Sequence, residues 1–184
     1  MPIEIPKDKW PGSVRPVTIG ATAAEGGTRA KSVTVGGQPT LPFLHFEAPM
    51  PNKPVIAIEI KSHKPEDWSA LLADVWGETM ADPAQWAKKA EEAGADLLVL
   101  ALTLEDTPES AVKAVKSVLG ATGLPLIVWG PGQAEKDNEL LVPVSEATKG
   151  EKIVLGICED KNYRTIVATA MANGHLVQAR TAMD

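Results

Sequence analysis

From Pro54 onward, short apolar runs alternate with helical patterns, and this alternation limits the chain to repeated βα units around a parallel sheet. The predicted strands are VIAIEI (Val55 to Ile60), DLLVLAL (Asp96 to Leu102), PLIVW (Pro125 to Trp129), IVLGIC (Ile153 to Cys158) and LVQAR (Leu176 to Arg180). Three of the first four are almost continuously apolar. That pattern means burial on both faces, whereas a sheet wetted on one side would alternate.

The segments between these strands carry helix signals. Asp82-Pro83 offers a capping acceptor followed by a residue whose φ is already helical, and Trp86, Ala87, Ala90 and Ala93 then recur on one face up to Gly94. Thr107-Pro108 repeats the device ahead of Val112, Val115 and Leu119. After Asn162, the residues Tyr163, Ile166, Val167, Ala170 and Met171 form a stripe of helical period. Between Asp137 and Lys149 the expectation is a short helix with Pro143 as its first residue, because a proline breaks a longer one. Right-handed crossovers are expected throughout. A βα barrel and an open doubly wound sheet both fit, and both place chemistry in the loops at the carboxyl ends of the strands.

One such loop is Gly130 to Asp137, within IVWGPGQAEKDNELL. It is not a phosphate cradle. A dinucleotide fingerprint needs a glycine where Glu135 stands, and a phosphate-binding loop needs Ser or Thr after its lysine, where Asp137 follows Lys136. The glycines turn the chain away from Trp129, and the charges are expected to line the barrel mouth or sheet crevice.

The first fifty residues differ. VTIGA (Val17 to Ala21) and SVTVGG (Ser32 to Gly37) alternate in polarity around the loop Ala24 to Ala30, which predicts a β-hairpin. Pro39, Pro42, Pro49, Pro51 and Pro54 then make a stiff connector, consistent with an arm laid on the barrel's bottom or on a partner. The division expected is residues 1–53 as arm and connector and residues 54–184 as the barrel portion.

The 184 residues carry 44% hydrophobic content and a net charge of −6, an ordinary globular composition large enough for one core. Scattered Lys and Arg in a mildly acidic chain argue against nucleic acid as a partner. No apolar run reaches the roughly 18 residues of a membrane span, and MPIEIPKDKW lacks the core of a secretory signal, so a cytoplasmic protein is expected. Cys158, the single cysteine, excludes an internal disulfide and a cluster held by several thiolates of this chain; it reads as a small buried hydrophobe. His45, His63 and His175 share no ligand spacing, so a metal site made by this chain alone is not expected.

About five strands of this kind cannot close an eight-stranded barrel. The expectations are a fragment of a longer protein, an edge covered by another copy or subunit, or an open sheet.

Several stretches together resemble one family. VTIGATAAEGGTRAKSVTVGGQPTLPFLHFE, PVIAIEI, DPAQWAKKAEEAGADLLVLAL, GPGQAEKDNELL and EDKNYRTIVATA are similar, in order, to the small subunit of the corrinoid iron–sulfur protein, the delta subunit of the acetyl-CoA decarbonylase/synthase complex. The resemblance covers nearly all of the chain, although the family's sequence continues for most of another half barrel with a glycine- and tyrosine-rich segment. It implies a partial TIM-type βα barrel, class α/β, without a cofactor of its own. Its partner would be a large subunit carrying the iron–sulfur cluster and a mobile corrinoid domain. The pair would accept a methyl group from methyltetrahydrofolate or its pterin analogue through a methyltransferase and deliver it to acetyl-CoA synthase.

In such a carrier the protein contributes binding, orientation and exclusion of side reactions, more fitting to a non-catalytic subunit than to an enzyme. Polar groups at strand ends that would hydrogen-bond the corrinoid's amides are Glu59, Lys61, Thr103, Lys136, Asp137, Asn162 and Arg180. The plainer readings are caps for Asp137 and Asn162 and solvation for Lys136. Three alternatives stand beside the carrier. One is a pterin-binding methyltransferase barrel, and another is an acid/base or Schiff-base site at Glu59 and Lys61. The third is a truncated barrel that persists by self-association. A hairpin arm that binds the partner predicts weaker association with the large subunit when Met1 to Pro49 is deleted.

Overall fold

The computed structural model describes residues 3, 4, 6, 7, 11–41, 44 and 47–181. His45 and Pro42 lie outside the described residues. The chain forms two compact units, Met1–Thr18 with Thr34–Val55, and Ile19–Val33 with Ile56–Asp184.

The expected hairpin is present. Strands β1 (Val17–Ile19) and β2 (Val33–Val35) pair as a two-stranded antiparallel sheet, with Thr18 Oγ1 and Thr34 Oγ1 2.9 Å apart across it. In the first unit, Val14 and the Gly37–Gln38 stretch exchange backbone hydrogen bonds at 2.8 Å, and Asn52 Nδ2 donates to the Gly36 carbonyl at 2.8 Å.

The second unit carries the sheet. Strands β3 (Ala57–Lys61), β4 (Leu97–Ala101), β5 (Leu126–Trp129), β6 (Val154–Cys158) and β7 (Leu176–Ala179) are all parallel, in the order β3-β4-β5-β6-β7. Strand order follows chain order without reversal. A doubly wound sheet reverses at a switch point, so this sequential arc is that of a partial barrel.

Helices α1 (Ala70–Trp76), α2 (Pro83–Glu92), α3 (Pro108–Ala121), α4 (Ala134–Ala147) and α5 (Tyr163–Asn173) fill the crossovers. Alternate strand residues, Ile60, Leu98, Leu100, Leu126, Val128 and Leu155, pack with Trp86, Val115, Leu140, Leu141 and Ile166 of the helices into one core. Each large apolar side chain so buried contributes roughly 1.5–3 kcal/mol.

Two predicted caps form as expected. Asp82 Oδ1 accepts from Ala84 N at 2.9 Å, and Thr107 and Ser110 form a reciprocal capping box. Four helical expectations need correction. First, α4 starts at Ala134 and runs through Pro143. The proline removes one rung of the helical ladder, to Glu139, but Glu139 is exposed so water can satisfy its carbonyl, and complete burial of Leu140, Leu141 and Val144 holds the helix on both sides. Second, the buried residues of α3 are Ala111, Val115 and Val118, with Val112 and Leu119 at the margin. Third, in α5 only Ile166 and Ala170 are buried, while Tyr163 and Met171 are 40% and 78% exposed. Among the described residues, α5 packs beside one other helix, α4. Fourth, α1 was not expected. Ser69 Oγ accepts from Leu72 N to start it, and Lys89 Nζ donates to the carbonyls of Val75 and Trp76 at its end.

The stretch Gly20–Arg29 closes the amino-terminal end of the sheet. Gly20 N donates to the Lys152 carbonyl and Ala30 N to the Gly123 carbonyl, both at 2.9 Å. Arg29, 4% exposed, reaches beneath. Its Nη1 donates to the carbonyls of Thr122 (2.8 Å) and Leu124 (3.2 Å), its Nη2 to Leu119 (2.7 Å), and its Nε to Glu151 (3.0 Å). The guanidinium thus satisfies orphan carbonyls at the end of α3, where a cation is also favoured by the helix dipole. A side chain at Gly27 would put Cβ 2.3 Å from the Ala21 carbonyl oxygen, so the close turn that delivers Arg29 requires glycine.

Candidate functional site

Because every strand of the sheet runs the same way, all carboxyl ends meet at the end opposite Arg29. The register aligns Lys61, Ala101, Trp129 and Gly156 in one row. Gln178 completes it: Trp129 Nε1 donates to Gln178 Oε1 at 2.9 Å, and a Cβ on Gly156 would stand 3.1 Å from Gln178 Cβ and 3.6 Å from the Trp129 ring. At the other end of the row, Lys61 Nζ lies 5.6 Å over the Trp68 ring, which meets the buried Trp86 edge-on at 5.3 Å. Glu59 projects from the same face one step lower, opposite Val99, and is exposed.

Beside this row stands a polar cluster. Asp106, 1% exposed, accepts from Ser62 Oγ (2.5 Å), Thr103 N (2.8 Å) and Ser110 Oγ (2.8 Å). His63 Nδ1 lies 3.1 Å from both Ser62 Oγ and Thr103 Oγ1. Of this cluster, the sequence singled out Thr103 alone. A helix-opening Asp-Thr-Pro beyond one strand and a Ser-His pair beyond its neighbour was the available signal.

The glycine loop is locked from within. Asp137, 2% exposed, accepts from Gly132 N at 3.0 Å and from Asn162 Nδ2 at 3.0 Å, while Asn162 Oδ1 accepts from Glu159 N at 2.7 Å. A Cβ at Gly130 would fall 2.3 Å from Asp137 Oδ1, which explains that glycine. Neither residue caps a helix through its side chain: Asp137 lies inside the first turns of α4, and Asn162, at the start of α5, ties two loops together. Burial raises the Asp137 carboxyl above its ordinary pKa, against hydrogen bonds from Gly132, Asn162 and Gln133 that pull it down. Burial, with the charge of Asp137 behind it, likewise pushes the Cys158 thiol up, as befits a buried, unreactive cysteine.

The seven predicted residues therefore separate. Lys61, Thr103 and Glu59 lie at the β3–β4 end of the arc, and Asp137 and Asn162 bond each other beyond the carboxyl ends of β5 and β6. Lys136 pairs with Glu139 at 3.0 Å within α4, and exposed Arg180 pairs with Glu159. The charges of Glu135 to Asp137 do not line the mouth as a loop: they belong to the first turns of α4.

A family model described as the CO dehydrogenase/acetyl-CoA synthase delta subunit matches residues 16–184. The chain belongs to that family. A delta subunit of the acetyl-CoA decarbonylase/synthase complex from Archaeoglobus fulgidus is 40% identical over 97% of this chain and 41% of its own length. The delta 1 subunit of Methanosarcina thermophila is 34% identical over 96% of this chain and 42% of its own, and the Methanocaldococcus jannaschii delta subunit 33% over 98% and 46%. This delta-family chain spans less than half the length of these curated relatives. Among its described residues, no helix is long and apolar enough to cross a membrane.

Proposed function

We propose that the chain forms one wall of the corrinoid chamber in a methyl carrier. Its partner is a large subunit that holds the corrinoid domain and the iron–sulfur cluster. The pair takes a methyl group from a methyltetrahydrofolate or methyl-tetrahydropterin methyltransferase and passes it to acetyl-CoA synthase. The observation that carries this reading is the row at the carboxyl ends of the strands, Lys61, Ala101, Trp129, Gly156 and Gln178, in a chain of the delta family. The row offers a broad indole, a cation and an amide on a floor left low by Ala101 and Gly156, a surface suited to a flat macrocycle edged with carboxamides.

The donor set fits that group. Lys61, Thr103 and Gln178 are placed to hydrogen-bond amides, with Glu59 and Arg180 at the margins. Asp137 and Asn162 would act indirectly, by fixing the Gly130–Gly132 turn beside Trp129. A bound corrinoid would supply the cobalt that carries the methyl group. The chain's own part is to orient the macrocycle and keep water from its face. With a single, buried cysteine, the chain leaves the cluster to its partner.

The test is to mix the chain with a corrinoid-loaded large subunit and follow co-elution by absorbance and light scattering. A red heterodimer is expected. Separate elution at micromolar concentrations of both would refute the reading.

A further inference from the structure

At the mouth, beside the row, His63 Nδ1 is held between two hydroxyls and the buried carboxylate of Asp106. The Ser62 hydroxyl has one proton, committed to Asp106 at 2.5 Å, so it turns a lone pair toward His63 Nδ1, 3.1 Å away. Thr103 Oγ1 stands 3.3 Å from the same carboxylate oxygen and 3.1 Å from Nδ1, and Asp106 Oδ2 itself is 3.6 Å from Nδ1. Surrounded by acceptors, Nδ1 is where the neutral imidazole carries its ring proton, which leaves the Nε2 lone pair free. Among the described residues Nε2 has no hydrogen-bond partner, and the side chain is 42% exposed. A serine nucleophile is excluded by the order of the groups. In a hydrolytic triad the imidazole stands between hydroxyl and carboxylate, whereas here the hydroxyl stands between imidazole and carboxylate.

We propose that His63 Nε2 is a fixed hydrogen-bond acceptor for the ligand bound at this mouth, taking an amide N–H from its rim. The proposal rests on the corrinoid reading above, since a corrinoid is edged with primary carboxamides. A freely tautomerising imidazole would present a donor or an acceptor indifferently. The Ser62–Thr103–Asp106 relay removes that choice, and so selects amides that present N–H over those that present C=O.

The test uses dicyanocobinamide, a corrinoid with peripheral amides and no nucleotide, in equilibrium dialysis against the full chain and its His63→Phe and His63→Gln variants. The wild type should bind. His63→Phe should weaken binding about five- to tenfold, and His63→Gln, which keeps an acceptor, should recover part of the loss. At pH 8, nitrogen-15 NMR of the histidines should show the Nδ1–H tautomer of His63. Equal binding by wild type and His63→Phe overturns the inference and leaves the corrinoid reading standing. A ring proton on Nε2 also overturns it. Failure of the wild type to bind also overturns the inference, while the corrinoid reading stands or falls by co-elution with the large subunit.

Discussion

Arg29 and Glu151 meet at 3.0 Å across 122 positions of sequence, both side chains largely out of water. The glutamate also accepts from Thr28 Oγ1 at 2.8 Å, so one carboxylate anchors two consecutive residues of the Gly26-Gly27-Thr28-Arg29 turn. Replacing Arg29 by alanine leaves Glu151 without its cation and the carbonyls of Leu119, Thr122 and Leu124 without a donor. The expected loss is about 3–5 kcal/mol of stability, measured as a shift of the urea midpoint at unchanged slope. Arg29→Lys should recover only a minor part, because an ammonium cannot span four acceptors in a plane.

His175 should set the acid limb of stability. Its Nε2 donates to the Ser145 carbonyl at 2.9 Å, its Nδ1 is buried without a partner, and burial holds its pKa below the ordinary 6.5. The unfolded chain therefore takes up a proton that the folded chain refuses, and stability falls as pH drops through 6.5. Asp137, whose carboxyl is raised, acts in the opposite sense at lower pH, favouring the folded state when protonated. In His175→Gln, the slope of unfolding free energy against pH between 7 and 5 should flatten. An unaltered slope would assign the acid limb to another group.

Gly130 and Asp137 should behave as a coupled pair. Gly130→Ala drives a methyl into the Asp137 carboxylate and should cost about 1–3 kcal/mol. Asp137→Ala removes the acceptor for Gly132 and Asn162 and should cost a similar amount. The double variant should lose less than the sum, because each change removes the obstacle met by the other. Thermal unfolding of the four proteins measures the coupling.

How much of this was legible in the sequence differs by element. The runs at Leu97–Ala101 and Val154–Cys158 declared themselves because burial on both faces leaves an unbroken apolar signature. The caps at Asp82 and Thr107 were equally plain, since a cap is a local hydrogen bond between near neighbours. Strand order was not legible: it is a relation among strands, and the alternation that reveals each strand is the same in a barrel and in a doubly wound sheet. Pro143 misled because propensity is local, whereas the burial of Leu140 and Val144 that outweighs it comes from distant parts of the chain. The His63–Asp106 cluster was missed for the same reason, its members being 43 positions apart and joined only by the pairing of β3 with β4. Asp137 and Asn162 were identified as candidate corrinoid contacts, with capping as the plainer reading. Their mutual bond at 3.0 Å, spanning 25 residues, needed the strands to be placed first.

The sequential order of the arc also has a temporal meaning. Each βα unit pairs with the one made just before it, so the sheet can extend as the chain lengthens on the ribosome. The Arg29 turn breaks that order. Made before any strand of the arc, it cannot reach its carboxylate until residue 151 has emerged, and so it is the clasp that fastens only after β3, β4 and β5 have been made.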